Sequence, residues 1–284
     1  MYELPCAQIC RPLLIYRSFP RFLRQVKGFH SLLRVEQRCA EGLARRIPIL
    51  FIVLCLCHLA FAGGGEYVVC TQAGRQGSPD IWQDWVVWHA HVEGGDSDVW
   101  AGNLSSGALV RITYSGAALN PRIDGGVVVW QDARSGEFDI YAYDLTTGVQ
   151  WAVCADSGNQ VDPAIGGDRI VWRRGGYPQW DSVWAHTISD GRTVLVCDAP
   201  GNKWRPDVDG NIVVWGDYRN GNWDVFGYDL AGGGEFVIAE GEAYQRSASI
   251  DGGLVAYEEC LSGSDGTVGV YDIAGGTRRY LDIP

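Results

Sequence analysis

From Ser78 onward the chain alternates short apolar runs with polar, glycine-rich breaks, and the alternation is itself periodic. Val86-Val-Trp88, Val127-Val-Val-Trp130, Ile170-Val-Trp172, Ile212-Val-Val-Trp215 and Leu254-Val-Ala-Tyr257 are β-branched runs, each closed by an aromatic. They are too short for helices and lack a polar alternation, as in strands buried on both faces. Their closing residues fall 42, 42, 43 and 42 positions apart.

Each run sits in a larger unit. A short strand precedes it (Pro79-Asp-Ile81, Pro121-Arg-Ile123, Pro163-Ala-Ile165, Pro206-Asp-Val208 and, without the proline, Ala248-Ser-Ile250). Turns such as Asp124-Gly-Gly126 and Asp251-Gly-Gly253 join the two, supplying residues that accept the positive φ of tight hairpins. A period-two strand follows, clearest in Asp139–Leu145 and Asp224–Leu230, with weaker copies at Asp98–Leu104, Ser182–Ile188 and Thr267–Ile273. After a small-residue turn comes a fourth strand, such as Trp151–Cys154 or Val194–Cys197. A four-strand unit of about 40 to 45 residues is the signature of a propeller blade, so the chain is expected to be all-β. The expected architecture is a β-propeller of five four-stranded blades. Glu66–Cys70 adds an extra N-terminal closing strand against the last blade, since an unpaired apolar edge invites aggregation. An open ring or a six-position ring is the alternative.

The proline, isoleucine, Asp-Gly turn, apolar-apolar-aromatic and Asp-Ile-Tyr-x-x-Asp-Leu pattern resembles the TolB-type propeller repeat over Ser78–Pro284. The resemblance implies that fold, and a kinship with extracytoplasmic interaction modules. Related propellers also carry glycoside hydrolases and polysaccharide lyases. The last unit departs from the pattern in its missing proline and Trp, and the third in Trp184-Ala-His-Thr-Ile188.

Residues 1–62 do not repeat. They hold nine basic and three acidic residues, the apolar stretch 47–62 behind Arg45-Arg46, and the small-residue ending Ala60-Phe-Ala62. These are the three regions of a signal peptide, and the stretch is short for a membrane span of about 20 residues. We therefore expect two parts, a basic leader with signal peptide over 1–62 and a single propeller domain over 63–284, placed outside the cytoplasm. An uncleaved anchor and a buried segment are the other readings of the stretch. The whole chain has net charge −11, and residues 63–284 keep 14 basic against 31 acidic residues. So acidic a body repels polyanions, which argues against nucleic acid as a partner.

Five of the nine cysteines lie in the leader. Cys70, Cys154, Cys197 and Cys260 remain, and only Cys70 with Cys260 has a plausible pairing, across the closure. No cofactor fingerprint, nucleophile elbow or zinc motif occurs. His89 and His91 beside Glu93, Asp96 and Asp98 have a metal-like composition but no defined third ligand, so a solvated loop is the expected reading.

Candidate contacts gather on the loops between second and third strands and on the crossovers between units, which ring the mouth of a propeller channel. Tyr177, Trp180, Trp204 and Tyr244 can stack on a flat ligand such as a sugar ring, with Asn120, Gln160 and Gln245 orienting it. The competing reading is that these aromatics fill seams between blades. Asp132-x-Arg134 and Asp217-x-Arg219 recur at matched positions on the same face. Recurrence suggests loop bracing, because catalysis needs unlike groups converging at one place. The expected role is thus a non-catalytic module that binds a protein or a glycan without a cofactor. The alternative is a secreted carbohydrate-active enzyme using carboxylates such as Asp132, Asp217 and Glu259 at the channel mouth, which would need two or three unlike acids about 5 to 10 Å apart.

Overall fold

The structure, a computed structural model, describes residues 69–70, 74–91, 97–176, 179–260 and 266–281. The leader and most of the expected closing strand lie outside them. Of Glu66–Cys70 only the last two residues are described, and neither is in a strand. Among the described residues no helix is long and apolar enough to cross a membrane.

Twenty strands form five four-stranded antiparallel sheets, each made from consecutive strands of one repeat. The first holds β1 (Gln76–Trp82), β2 (Trp85–His91), β3 (Ser97–Asn103) and β4 (Leu109–Arg111). The second holds β5 (Ala118–Asp124), β6 (Val127–Asp132), β7 (Asp139–Asp144) and β8 (Gln150–Cys154). The third comprises β9 (Asn159–Gly166), β10 (Arg169–Gly176), β11 (Gln179–Thr187) and β12 (Thr193–Cys197). The fourth comprises β13 (Lys203–Asp209), β14 (Ile212–Asp217), β15 (Asp224–Asp229) and β16 (Gly234–Ala239). The fifth comprises β17 (Tyr244–Asp251), β18 (Leu254–Cys260), β19 (Thr267–Asp272) and β20 (Thr277–Leu281).

The first strand of each sheet starts earlier than its proline suggests. In all five, the pairing to the second strand slips at the proline position or its alanine replacement. The residue before it is left-handed: Ser78, Asn120, Asp162, Arg205 and Ser247 have φ between 41° and 56°. A proline has no N–H to give a ladder, so a bulge is where a strand tolerates it. Each left-handed non-glycine residue costs on the order of 1–3 kcal/mol, which the surrounding sheet must offset.

Four apolar seams hold neighbouring sheets together. Val87, Val99 and Ala101 of the first sheet meet Ile123, Val128 and Trp130 of the second. Val129, Ile140 and Ala142 meet Ile165, Ile170 and Trp172, and Val171, Val183 and Ala185 meet Val208, Val213 and Trp215. Val214, Val225 and Ile238 then meet Ile250, Val255 and Tyr257 of the fifth. The aromatic that closes each second strand is fully or almost fully buried in all five sheets.

Polar ties follow the same 42- or 43-residue step. Asp80 accepts from the Ile123 amide at 2.9 Å, and Asp207 from the Ile250 amide at 3.1 Å. At the hairpins Asp124 accepts from the Gly167 amide at 2.6 Å and Asp209 from the Gly252 amide at 2.7 Å. Charge-assisted bonds of this kind tie each sheet to the next at a fixed step.

Removing one closing aromatic opens a cavity between two sheets. Trp215→Ala is expected to destabilise the fold by about 3–5 kcal/mol, read as a lower urea midpoint. Arg205→Gly relieves a left-handed φ and should raise that midpoint slightly, by about 1 kcal/mol or less.

Candidate functional site

Backbone hydrogen bonds gather the loops after the second strands and the crossovers between sheets at one end of the body. The Gln160 amide donates to the Phe138 carbonyl and the Gln245 amide to the Trp223 carbonyl, each at 2.6 Å. Tyr218 likewise donates to Asn202 at 2.9 Å.

Between the first strands lies a cavity of about 350 Å³, lined by residues of all five sheets. Its wall carries the five left-handed residues, so the strained bulges shape this space. Arg122 spans it, reaching Asp80 at 3.0 Å and Asp207 at 3.6 Å, which links the second sheet to the first and the fourth. Burial opposes the charge of Arg122, but the two carboxylates hold its guanidinium above the usual range. Asn120 accepts from Ser78 at 2.9 Å and donates to Gln131 at 3.2 Å.

The two Asp-x-Arg pairs form one repeated device. Asp132 accepts from the Trp130 indole at 3.2 Å, the Arg134 amide at 3.0 Å and Ser115 at 2.9 Å, with the Arg134 guanidinium at 2.5 Å. Asp217 accepts from the Trp215 indole at 2.9 Å, the Arg219 amide at 3.0 Å and the Arg219 guanidinium at 2.6 Å. Arg134 covers the Tyr141 ring and Arg219 the Phe226 ring, each at 4.1 Å, and those rings stack on the two tryptophans. Both carboxylates are fully buried. Burial pushes the Asp132 carboxyl up, yet donated bonds from Arg134, Trp130 and Ser115 win and hold it below the usual range. Desolvation also opposes the charge of Arg219, and Asp217 with Glu235 more than restores it. Asp132, so encircled, is held as a structural anion. In the first sheet Ala90 replaces the aspartate, and the buried Trp88 indole nitrogen finds no partner among the described residues.

Gln160 and Gln245 are buried rather than displayed, and Gln160 donates to the Asp156 and Gly158 carbonyls. Lys203, two residues before the left-handed position as they are, is also buried, with its ammonium on the Ala199 and Gly201 carbonyls and 3.4 Å from Asp217. Trp204 and Tyr244 are exposed, at 40% and 37%. Tyr177 lies outside the described residues, as does the side chain of Trp180.

Two aromatics outside the expected set complete a cluster with Trp204. Trp223 meets Trp204 edge-on at 6.1 Å and Tyr218 at 5.3 Å, while Arg205 lies over the Trp204 ring at 5.6 Å. Gly216 makes room, since a Cβ there would stand 3.3 Å from Trp204 Cβ. A signal for Tyr218 was present: the matching positions hold Ala133 and Gly175, so it departs from the repeat.

His89 and His91 meet edge-on at 5.2 Å. Asp98 is engaged by Arg111, by Thr113 at 2.7 Å and by the Gly116 amide at 3.2 Å, while Glu93 and Asp96 lie outside the described residues. Among the described residues no group of three or more His, Cys, Asp or Glu side chains is placed to hold a metal. Cys154, Cys197 and Cys260 are free thiols.

This arrangement of consecutive four-stranded sheets is shared with solved propellers. The chain superposes on a protein assigned as TolB from Agrobacterium tumefaciens with a TM-score of 0.59 and 15% identity, over 77% of this chain and 84% of that one. The fold is that of a TolB-like β-propeller. TolB from Acinetobacter baumannii gives a TM-score of 0.53 at 16% identity, over 66% of this chain and 50% of that one, so the chain spans half of that protein. Enzymes share the fold too. A prolyl endopeptidase matches with a TM-score of 0.61 at 15% identity, over 78% of this chain and 38% of the enzyme. An oligogalacturonate lyase solved with manganese matches at 0.54 and 12%, over 70% and 62%. No family model matches the sequence, and no curated protein does.

Burial, then the nearby charges of His91 and Arg75, lowers the His89 pKa from 6.5 to about 4. The unfolded chain therefore binds a proton that the folded one refuses. Its contribution to stability is present above pH 6.5 and is lost as pH falls towards 4. Urea midpoints should drop across that window, and His89→Gln should flatten that part of the curve.

Proposed function

We propose that this chain is an exported, non-catalytic TolB-like propeller that binds a protein or a glycan through its loop-bearing end. The observation that carries the reading is the contrast at that end. The recurrent acids are buried, each closed off by its own arginine and indole, while Trp204 presents open aromatic surface beside Tyr218 and Trp223. Aromatic faces next to a guanidinium suit a sugar ring or an aromatic-bearing loop of a partner. Export rests on the leader's basic, apolar and small-residue regions and on the likeness to extracytoplasmic modules. Closure by a strand from Glu66–Cys70, making five blades plus one closing strand, belongs to the same proposal. Asn120, Asp132, Arg134, Asp217 and Arg219 act as supports of this surface, and Trp204 and Tyr244 as its contacts.

The enzyme-bearing relatives keep the question of turnover experimental. A glycan array together with a screen against polysaccharides, pectic oligomers included, should give binding without product. Turnover of any substrate refutes the non-catalytic reading. Trp204→Ala should weaken the bound ligand about 10- to 100-fold, with the melting temperature unchanged.

A further inference from the structure

Five equivalent left-handed positions line the cavity, and one of them departs from the rest in chemistry. Ser78, Asn120, Asp162 and Ser247 carry short polar side chains, the kind that can hydrogen-bond locally in this conformation. The fifth is Arg205, at φ 41°. A long cationic side chain gains nothing locally from that backbone, and strain of this sort persists where a site uses it.

The bulge here re-aims a side chain. In a regular strand Trp204 and Arg205 would point to opposite faces. With the register slipped and residue 205 left-handed, the Arg205 guanidinium instead lies 5.6 Å from the centre of the Trp204 ring. The other arginines near this end are held by acids: Arg122 by Asp80 and Asp207, Arg134 by Asp132, and Arg219 by Asp217. Among the described residues Arg205 makes no ion pair, and its charge meets only the Trp204 ring. Arg134 and Arg219 lie over their rings at 4.1 Å; at 5.6 Å, Arg205 leaves its ring open, and Trp204 stays 40% exposed.

The extent of this patch limits what it can hold. A stable protein partner covers about 800 Å² and about 20–30 residues a side, whereas the departures from the repeat are Trp204, Arg205 and Tyr218, with Trp223 packed behind them. Arg205 reaches from the patch into the wall of the 350 Å³ cavity. That volume falls at the low end of small-molecule sites, about 300–1,000 Å³. Asp162 and Ser247, from the sheets on either side, add groups to the same wall that can bind hydroxyls. A domain with 14 basic and 31 acidic residues repels a polyanion, but a single anionic group facing one unpaired guanidinium escapes that penalty.

We propose that Trp204 and Arg205 form a subsite for one acidic sugar, a hexuronate that is free or ends a short oligosaccharide. Its ring lies on Trp204, its carboxylate accepts from both prongs of the Arg205 guanidinium, and its hydroxyls meet Asp162 and Ser247. This rests on the binding reading above and narrows it to a glycan. The left-handed bulge at residue 205 is what sets a charge beside the ring.

Calorimetric titration of the full chain tests it, with glucuronate, galacturonate, disaccharides ending in each, and the carboxyl-reduced counterpart of every one. Each bound acid should bind about 10-fold or more tightly than its reduced counterpart, and comparing free acids with disaccharides tells which source fits. Arg205→Gly and Arg205→Gln should erase that preference while the melting temperature holds or rises. An arginine with a purely structural role would do the reverse, lowering the melting temperature and leaving the preference intact. Equal binding of acid and reduced forms overturns the proposal. So does a preference that survives both variants, or the failure of every uronate to bind at millimolar concentration. Binding of neutral sugars or of a protein in those cases leaves the broader binding role standing, whereas turnover of a bound uronate refutes the non-catalytic reading and not the subsite.

Discussion

A sheet that is apolar on both faces cannot stand alone in water, and the rest of this structure follows from that constraint. In the first four repeats the second strand is a Val/Ile run buried on both faces, so each of those sheets needs a neighbour on either side. Stacking sheets about an axis meets that need with one interface used repeatedly. A closing aromatic packs into each seam, and a buried indole nitrogen then requires an acceptor. Asp132 and Asp217 provide one, and each is in turn neutralised by the arginine two residues on. The Asp-x-Arg pairs are therefore consequences of burying Trp130 and Trp215.

The same economy shapes the centre. First strands converge on the axis, where there is room for few side chains, and each bends there through a bulge with a left-handed residue. Side chains of the next two positions then turn either to the cavity or to the neighbouring sheet. Asp80 and Asp207 do both, capping the next sheet's amide and holding Arg122. The carboxylates in the cavity wall are thus spent on ties between sheets.

Function is then sought where the repeat fails. Repeat-equivalent residues do the same structural task in sheet after sheet, whereas Tyr218 and the exposed Trp204 have no matching tyrosine or tryptophan in the other sheets. The fifth sheet departs in another way, since Ala256 and Val268 are exposed where their counterparts in the other sheets are buried. Both departures lie on the surface, and neither disturbs the four seams.

What the sequence determined by itself is what periodicity encodes: strand identity, the four-strand unit, the sheet count, and which aromatic closes each unit. These are local or repeated, and a 42-residue step multiplies a weak signal until it is legible. Strand starts were less legible, because Pro79 and its counterparts read as beginnings when they mark bulges inside longer strands. The site was legible only in part. Trp204 and Tyr244 were recognisable as aromatics at the mouth, yet nothing local reveals that Gln160 and Gln245 are buried or that Trp223 stands against Trp204. Those facts depend on which loop from one sheet lies over which crossover from the next. Likewise Ala256 and Val268 look like their buried counterparts in sequence, and only the tertiary arrangement decides that no sheet covers them. Burial is a property of neighbours, and a chain specifies its neighbours only once it has folded.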